Sequence, residues 1–266
     1  MTSLAERPTL VSLTNVTMHY GRGKGAIQAI DDITLDIKKG EFIAVVGPSG
    51  CGKSSLMKLI SGLHFASKGK VEVEGKPVTG PLNSVGMAFQ ASNLLPWRTV
   101  VDNVMLPLEI VRPHRHRIRT NRAEYKAKAQ ALLEQVGLKG FTEKFPWQLS
   151  GGMQQRTSIC RALVHEPEIL MLDEPFGALD AFTREELWCV LRDIQQARGV
   201  TVMLVTHDLR EAAFLADTIY VMSNRPGKIV KKTSVSLPRP RDLEVTYTQA
   251  FQDIVHELRS HIGGKH

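Results

Sequence analysis

Short, continuous apolar runs recur along the chain, and each one predicts a buried strand. They cover residues 42–46, 169–172, 202–205 and 219–222. Runs of this length, bounded by glycine or polar residues, are typical of strands covered on both faces in a parallel sheet. Between two of them, residues 184–198 carry apolar side chains at helical spacing. The pattern therefore predicts an α/β fold with a mainly parallel sheet.

The N-terminal part follows a different pattern, in which apolar and polar residues alternate. This alternation runs from residue 10 to residue 46, and glycines interrupt it at Gly21, Gly23, Gly25 and Gly40. A period of two is typical of strands with one buried face. We therefore expect an antiparallel β subdomain that leads into the strand at 42–46. Further strands are predicted at 71–75 and 85–89.

The stretch from about residue 91 to 145 has helical rather than strand patterns. Residues 123–136 have helical spacing and end at Gly137, and Thr99 to Asp102 resembles the capping pattern of a helix start. Before that start, Trp97 lies in an apolar loop and is expected to be exposed. We predict an α-helical subdomain inserted at about residues 91–160, and a helical tail over 241–266.

Composition limits the class of protein. Apolar residues make up 42% and charged residues 23% of the 266, with a formal net charge of +7. No uncharged stretch approaches the ~18 apolar residues of a membrane span, and residues 1–8 lack the apolar core of a signal peptide. We therefore expect a cytoplasmic protein with an anionic partner. The basic run at 112–119 has no interleaved aromatic residues, which favours a solvated surface over nucleic-acid binding.

The three cysteines, Cys51, Cys160 and Cys189, are odd in number and not at metal-ligand spacing. We expect reduced thiols. Cys51 lies in an electropositive loop, so it is either a reactive thiol or an inert filler, and the filler is favoured.

The strand at 42–46 is followed by Gly47-Pro48-Ser49-Gly50-Cys51-Gly52-Lys53-Ser54 and then by a helical pattern. This spacing, G-x-x-x-x-G-K-[ST], is typical of a loop that cradles phosphates with its backbone N–H groups. Lys53 supplies a positive charge to the β- and γ-phosphates, and Ser54 offers a hydroxyl to Mg²⁺. The loop predicts a nucleotide site.

Polar residues end two of the other predicted strands. Asp173 and Glu174 follow 169–172, and His207 follows 202–205. Ligands of open α/β sheets bind beyond the carboxyl ends of the strands. We expect Asp173 to orient Mg²⁺, Glu174 to orient a water in line with the γ-phosphate, and His207 to donate a hydrogen bond there.

A third motif, Leu149-Ser150-Gly151-Gly152-Met153-Gln154, precedes another helical pattern. Ser150 stands at the N-cap position, two glycines fill the first turn, and Met153 rules out a capping box. We interpret this start as a bare helix end that an anion approaches closely.

Together these motifs, over about residues 10–223, resemble the ATP-binding subunit of an ABC transporter. The loop 47–54 corresponds to the Walker A motif, Asp173 and Glu174 to Walker B, Leu149–Gln154 to the signature, and Ala178-Leu179-Asp180 to the D-loop. Gly177 stands where the family commonly has serine. The resemblance implies one nucleotide-binding domain over 10–240. Residues 94–99 and 238–241 most resemble the nitrate, sulfonate and taurine importer branch.

The resemblance implies a P-loop NTPase core, the cofactors ATP and Mg²⁺, and a head-to-tail homodimer in which the signature of one copy meets the γ-phosphate held by the other. Membrane permease subunits, and indirectly a solute-binding protein, would be its partners at the cytoplasmic side of the bacterial inner membrane. It implies catalytic roles for Glu174, His207 and Gln90, and Mg²⁺ ligands from Ser54, Gln90 and Asp173. Nucleotide contacts are expected from Tyr20, Gly47, Pro48, Ser49, Gly50, Cys51, Gly52, Lys53, Ser54, Ser55, Ser150, Gly151, Gly152, Gln154 and Asp180.

Two other classes share some of these motifs. A chromosome-maintenance or DNA-repair ATPase has long coiled-coil arms between Walker A and the signature, whereas about one hundred residues without sustained heptads separate them here. A nucleotide kinase would leave the motif at 149–154 without a purpose. We therefore expect an importer ATPase that does not bind nucleic acid.

Overall fold

The computed structural model describes residues 4–21 and 23–262, without the side chains of Ala5 and Lys24. The first three residues of the segment 1–8, and the last four of the predicted tail 241–266, lie outside this part of the chain. The chain forms two compact units, Met1–Leu82 with Gly199–His266, and Asn83–Arg198. The predicted domain limits at residues 240 and 241 stay a prediction.

The strands are β1 (Thr9–Tyr20), β2 (Ile27–Lys38), β3 (Phe42–Val46), β4 (Lys68–Val73), β5 (Lys76–Pro77), β6 (Val85–Phe89), β7 (Ile169–Asp173), β8 (Thr201–Thr206), β9 (Thr218–Met222) and β10 (Ile229–Ser234). The helices are α1 (Lys53–Ile60), α2 (Val100–Met105), α3 (His114–Arg117), α4 (Arg122–Gln135), α5 (Gly151–Leu163), α6 (Ala181–Arg198), α7 (Leu209–Leu215) and α8 (Gln249–Ile262). None of the helices in the described ranges is long and apolar enough to cross a membrane.

The first unit contains an antiparallel sheet in the order β2-β1-β4-β5. Strand β1 is one long strand, and its pairing with β2 shifts register between Leu13 and Val16. At the shift, Asn15 and Asp32 both have positive φ, and the Asn15 amide donates to the Asp32 carboxylate at 3.0 Å. This β-bulge explains why the apolar period breaks without ending the strand.

The same unit contains strands in the order β10-β9-β3-β8. Strands β8 and β9 flank β3 in parallel register, and all residues of these three strands are buried. Continuous burial is the physical reason for their unbroken apolar sequences. The carboxyl ends of the three strands therefore meet at one edge.

The second unit contains the parallel pair β6 and β7 and the helices α2 to α6. Helix α5 packs on β6 closely enough that a Cβ at Gly86 would lie 2.0 Å from the Ala162 carbonyl oxygen. Helix α2 begins as the capping pattern predicts, because the Thr99 side chain accepts a hydrogen bond from the Asp102 N–H. Trp97 is 71% exposed, as expected.

The C-terminal segment is fastened to the end of α7 by a buried arginine. The Arg241 guanidinium donates to the carbonyl oxygens of Ala213, Phe214 and Ala216 at 3.2, 3.0 and 2.7 Å. Burial lowers the pKa of Arg241 to about 10, so the side chain remains charged at neutral pH. A cation suits this position because the last carbonyls of a helix carry partial negative charge.

Candidate functional site

The predicted phosphate loop, residues 47–54, begins where the parallel strands of the first unit end. Gly47 follows Val46, which is in register with Thr206 of β8 and Val221 of β9. A Cβ at Gly47 would lie 2.9 Å from the Met222 carbonyl oxygen, so only glycine lets the loop leave the sheet here. The loop therefore sits at the carboxyl edge, as the sequence predicts.

Helix α1 starts at a glycine that no other residue replaces easily. Gly52 is the N-cap of α1 with φ of 111°, and a Cβ there would lie 2.7 Å from the Ala29 carbonyl oxygen. Glycine has no side chain with which to cap the helix, and α1 accordingly starts without a side-chain cap hydrogen bond. This is the backbone geometry that a phosphate cradle requires.

The Lys53 ammonium lies over the loop itself. Its side chain is buried, and Nζ donates to the carbonyl oxygens of Gly47 and Pro48 at 2.9 and 3.0 Å. An ammonium has three donors, so these bonds hold the charge at the mouth of the loop without using all of them. A phosphate oxygen entering the loop would meet a cation already in place.

Tyr20 lies next to the helix that follows the loop. Its hydroxyl is 3.1 Å from the Ser55 hydroxyl, and its ring packs edge-on to His64 with 5.2 Å between the ring centroids. The structure thus brings Tyr20 and Ser55, both expected to contact nucleotide, into direct contact. The adenine-stacking role of Tyr20 stays a prediction.

Cys51 is buried within the loop, with 1% of its surface exposed. Burial raises the pKa of the thiol, against the opposing charge of Lys53. A buried neutral thiol fits the filler interpretation rather than the reactive one.

His207 follows β8 directly and therefore stands one strand away from Gly47 at the same edge. Its neighbours are fixed: the Asp208 side chain accepts from the N–H groups of Arg210 and Glu211, and the buried Thr206 hydroxyl donates to the Glu211 carboxylate at 2.5 Å. The backbone on both sides of His207 is thus held by the start of α7. Within the first unit, the structure brings Tyr20, residues 47–55 and His207 to adjacent elements.

In the second unit, Gln90, Asp173 and Glu174 lie at the carboxyl ends of two adjacent parallel strands. Phe89 of β6 is in register with Asp173 of β7, so Gln90 and Glu174 follow neighbouring strands at one position. A Cβ at Gly177 would lie 3.1 Å from Gln90 Nε2 and 3.6 Å from the Glu174 carbonyl oxygen. The absence of a side chain at Gly177 therefore leaves room for the Gln90 side chain.

Glu174 has a left-handed backbone, with φ of 48°. A non-glycine residue held in this region is uncommon, and such residues cluster at functional sites. The turn that follows is closed by the Gly177 N–H, which donates to the Glu174 carbonyl oxygen at 3.2 Å. Nothing in the sequence signals this conformation.

Asp180 caps the start of helix α6 of its own chain. Its carboxylate accepts a hydrogen bond from the Thr183 N–H at 3.1 Å at the start of α6. Hydrogen bonds from the Thr183 side chain and backbone lower the pKa of Asp180, so it is ionised at neutral pH.

The expectation of a bare start at α5 was wrong. The Ser150 hydroxyl accepts a hydrogen bond from the Met153 N–H at 3.3 Å, so one of the first-turn amides is capped. The N-cap position of Ser150 is as predicted. Because the hydroxyl acts as acceptor in this bond, its proton remains able to donate to an anion.

Gly152 has a packing role that the sequence does not show. Gly152 is buried, and a Cβ there would lie 2.4 Å from the Thr183 methyl carbon. Packing of α5 on α6 therefore requires this glycine without any ligand. Gly151 differs, since it is exposed and a Cβ would meet only Leu179 at 4.0 Å. Close approach of an anion stays a prediction for both glycines, and Gly151 has no packing contact that would explain it instead.

Two glutamines of helix α5 form hydrogen bonds to neighbouring segments of the chain. The Gln154 amide donates to the Pro146 carbonyl oxygen at 3.0 Å and accepts from the Ser92 hydroxyl at 3.1 Å, so its side chain is engaged within the chain. The buried Gln155 donates to the Phe89 carbonyl oxygen at 3.0 Å, directly before Gln90. Sequence reasoning missed Gln155, and its only signal is a polar residue on the buried face of α5.

A buried asparagine organises the loop that carries Trp97. Asn103 is fully buried, accepts from the Leu95 N–H and donates to the carbonyl oxygens of Leu95, Arg98 and Thr99. The Arg98 guanidinium forms a bidentate ion pair with the Glu109 carboxylate, with N–O distances of 2.8 and 3.0 Å. The exposed indole is thus presented by a rigid loop.

Three features define the class of P-loop ATPases. They are the glycine-rich phosphate loop, Lys53 inside that loop, and the carboxylates of Asp173 and Glu174 at the end of a buried strand. The family model described as "ABC transporter" matches residues 30–177. The chain belongs to the ABC transporter family.

Curated relatives and solved structures agree with this membership. The chain is 43% identical over 222 residues to the aliphatic sulfonates import ATP-binding protein SsuB of Bacillus licheniformis, covering 84% of this chain and 83% of that protein. It is 44% identical to the taurine import ATP-binding protein TauB of Yersinia pestis, over 81% and 80% of the two chains. The ATP-binding cassette MJ0796, solved as a dimer with ADP and Pi, matches with a TM-score of 0.72 at 31% identity, over 86% of this chain and all of that one. The predicted family and fold class are confirmed.

Proposed function

We propose that this chain is the ATP-hydrolysing subunit of an importer. ATP binding and hydrolysis in a head-to-tail homodimer would drive solute uptake through separate membrane subunits. The observation that carries the proposal is the phosphate loop, in which α1 starts at Gly52 without a side-chain cap and the Lys53 ammonium lies across the loop carbonyls. The names of the relatives, which include sulfonate and taurine import proteins, support a small anionic solute.

The phosphates of ATP bind to the loop amides and to Lys53, whose third ammonium donor is available to a phosphate oxygen. A hydrogen bond between an ammonium and a phosphate oxygen is charge-assisted and therefore strong. Tyr20 provides an aromatic face for the adenine.

The residues fit a magnesium ion by donor chemistry. Mg²⁺ prefers oxygen ligands and is commonly held by one or two carboxylates together with substrate phosphates and waters. Among the described residues, no cluster of three or more His, Cys, Asp or Glu side chains is arranged to hold a metal. Ser54, Gln90 and Asp173 would hold the ion with the phosphates, and when bound it supplies positive charge that neutralises the phosphate oxygens.

Hydrolysis requires a water aligned with the γ-phosphate. Glu174 orients this water and accepts its proton, and His207 donates a hydrogen bond to the phosphate. Gln90, which follows the strand β6 next to β7, helps to fix the approach of the water. A loose transition state needs positioning and charge stabilisation rather than covalent catalysis, so these groups suffice.

The second copy completes the pocket. We propose that the Ser150 hydroxyl of one copy donates to the γ-phosphate held by the other, while Gly151 permits close approach and Asp180 lies nearby at the start of α6. ATP would close the dimer and hydrolysis would open it. The exposed Trp97 loop and the segment after Gln90 would pass this motion to membrane permease subunits, and the chain would then lie at the cytoplasmic face of the membrane.

The test replaces Glu174 with Gln, which keeps the shape of the side chain and removes the base. We expect ATP affinity to be retained and turnover to fall about 10²–10⁴-fold, the range typical for loss of a general base. Glu168→Gln, which changes the charge equally just before β7, is the control. Turnover at the parent rate in Glu174→Gln would remove the role of Glu174, and stimulation of the parent enzyme by DNA would favour the DNA-repair class.

A further inference from the structure

The turn between β9 and β10 lies on the phosphate loop. The Arg225 Nε donates to the Gly50 carbonyl oxygen at 3.1 Å, although the two residues are 175 positions apart. A Cβ at Gly50 would lie 3.6 Å from Arg225 Nη2, so the guanidinium also packs along the loop backbone. Arg225 itself is exposed, and the contact is made at the surface of the first unit.

The turn approaches the loop closely because Gly227 allows it. A Cβ at Gly227 would lie 2.2 Å from the Cys51 carbonyl oxygen. The backbone of Gly227 is held by β2 on the other side: its N–H donates to the Ala29 carbonyl oxygen at 3.0 Å and its carbonyl oxygen accepts from the Asp31 N–H at 3.0 Å. The loop therefore contacts a backbone that is itself anchored.

Further contacts stiffen the turn. The Ser223 hydroxyl accepts from the Lys228 N–H at 3.0 Å, and the Ser223 N–H donates to the Lys228 carbonyl oxygen at 2.9 Å. Lys228 also forms an ion pair with Asp31 of β2 at 2.8 Å. Arg225 thus projects from a support that is held in place without it.

We propose that Arg225 is a positioning residue for the phosphate loop, acting through the peptide unit between Gly50 and Cys51. In a trans peptide the C=O and N–H groups point in opposite directions. A guanidinium that fixes the Gly50 carbonyl outward therefore directs the Cys51 N–H inward. In this structure that N–H donates across the loop to the Pro48 carbonyl oxygen at 3.3 Å.

The inward N–H is the donor that a phosphate oxygen takes over when nucleotide binds. The bond from the charged guanidinium also polarises the Gly50–Cys51 peptide, which makes its N–H a stronger donor. Arg225 thus contributes to phosphate binding without touching the phosphate. This part of the inference rests on the proposed function, because it concerns the same nucleotide site.

Cys51 supplies a readout that does not depend on nucleotide. The thiol is buried in the loop beside the Arg225 contact, so a thiol reagent reaches it only when the loop opens. We would label the nucleotide-free protein with iodoacetamide at fixed pH and map the modified cysteine by mass spectrometry. The variants are Arg225→Gln, Arg225→Lys and, as a control with the same charge change, the exposed Arg210→Gln.

We expect Arg225→Gln to raise the labelling rate of Cys51 about tenfold or more, as for the loss of one hydrogen bond to a charged group. The KM for ATP should rise by a similar factor with little change in kcat, since the loop contacts ATP before and during reaction. Arg225→Lys should restore most of both, and Arg210→Gln should change neither. Unchanged Cys51 labelling in Arg225→Gln, or an equal effect of Arg210→Gln, would overturn the proposal. If the parent protein hydrolysed no ATP, the labelling result would still decide the role of Arg225 separately.

Discussion

Helices α1 and α5 both start with glycines, but for different physical reasons. At α1, Gly52 has φ of 111° and faces a backbone carbonyl oxygen at 2.7 Å, so the backbone itself requires glycine. At α5, Gly152 faces the methyl group of Thr183, so a side chain requires it. Helix α1 leaves its first amides without a side-chain cap, whereas Ser150 caps α5. The backbone of the phosphate loop thus requires Gly52, whereas packing against a neighbouring helix requires Gly152, although both glycines stand at a helix start.

Gly52→Ala should have the largest effect. The variant places a Cβ against the Ala29 carbonyl oxygen in a backbone conformation that alanine rarely adopts, and we expect a loss of about 2–4 kcal/mol in the free energy of unfolding. Nucleotide affinity should fall with it. Denaturant unfolding and ATP binding by calorimetry measure the two effects, with Gly75→Ala, at an open turn position with φ of 70°, as the control for backbone strain alone. Equal losses in both variants would refute the special role of the Ala29 contact.

Lys53→Ala should come next, because it removes the cation that lies across the loop. Hydrogen bonds to charged groups contribute about 1.5–3 kcal/mol, so we expect ATP affinity to fall about 10- to 100-fold. Lys70→Ala, which removes an exposed lysine of β4, should leave the affinity unchanged. ATP affinity equal to that of the parent in Lys53→Ala would contradict the cradle.

Gly152→Ala tests the packing explanation for α5. The new methyl group meets Thr183, and we expect a loss of about 1–3 kcal/mol in stability. Adding Thr183→Ser removes the methyl group in the way and keeps the hydroxyl near Asp180. The double variant should regain the lost stability and gain up to about 1 kcal/mol, since alanine favours helix over glycine. If the double variant does not regain the lost stability, packing against Thr183 does not explain Gly152, and contact with a ligand would have to explain it.

Ser150 variants should have the smallest effect on stability and the most informative one on activity. Ser150→Ala loses the cap at a cost of about 1 kcal/mol, which lowers Tm by roughly 2–4 °C, whereas Ser150→Asp keeps a good cap. If Ser150 meets a phosphate, the added negative charge should reduce ATPase activity more in Ser150→Asp than in Ser150→Ala. The two variants would then rank in opposite order by Tm and by ATPase rate. The same order in both measurements would mean that Ser150 is only a cap.

Sequence patterns were sufficient for the features that depend on neighbours in the chain. The buried runs predicted β3, β7, β8 and β9, because residues covered on both faces need no polar alternation. The N-cap of α5 followed from Ser150 in the same way. These predictions needed only local periodicity and capping chemistry.

Features that depend on contacts between distant residues were missed. The bond between Arg225 and Gly50 joins residues 175 positions apart, and no pattern around Arg225 signals it. The contact of Gly152 with Thr183 gives this glycine a packing role that the sequence does not show. The left-handed backbone of Glu174 is imposed by the surrounding fold rather than by its own residue type.

In the proposed dimer, two differently built helix starts meet on one nucleotide, each from a different copy of the chain. The most direct measurement is sedimentation of Glu174→Gln with saturating ATP and Mg²⁺. We expect a dimer with ATP, a monomer without it, and a monomer again when Ser150→Asp is added although ATP remains bound. A Glu174→Gln protein that binds ATP yet stays monomeric at high concentration, or a double variant that dimerises as strongly as the single one, would contradict the claim.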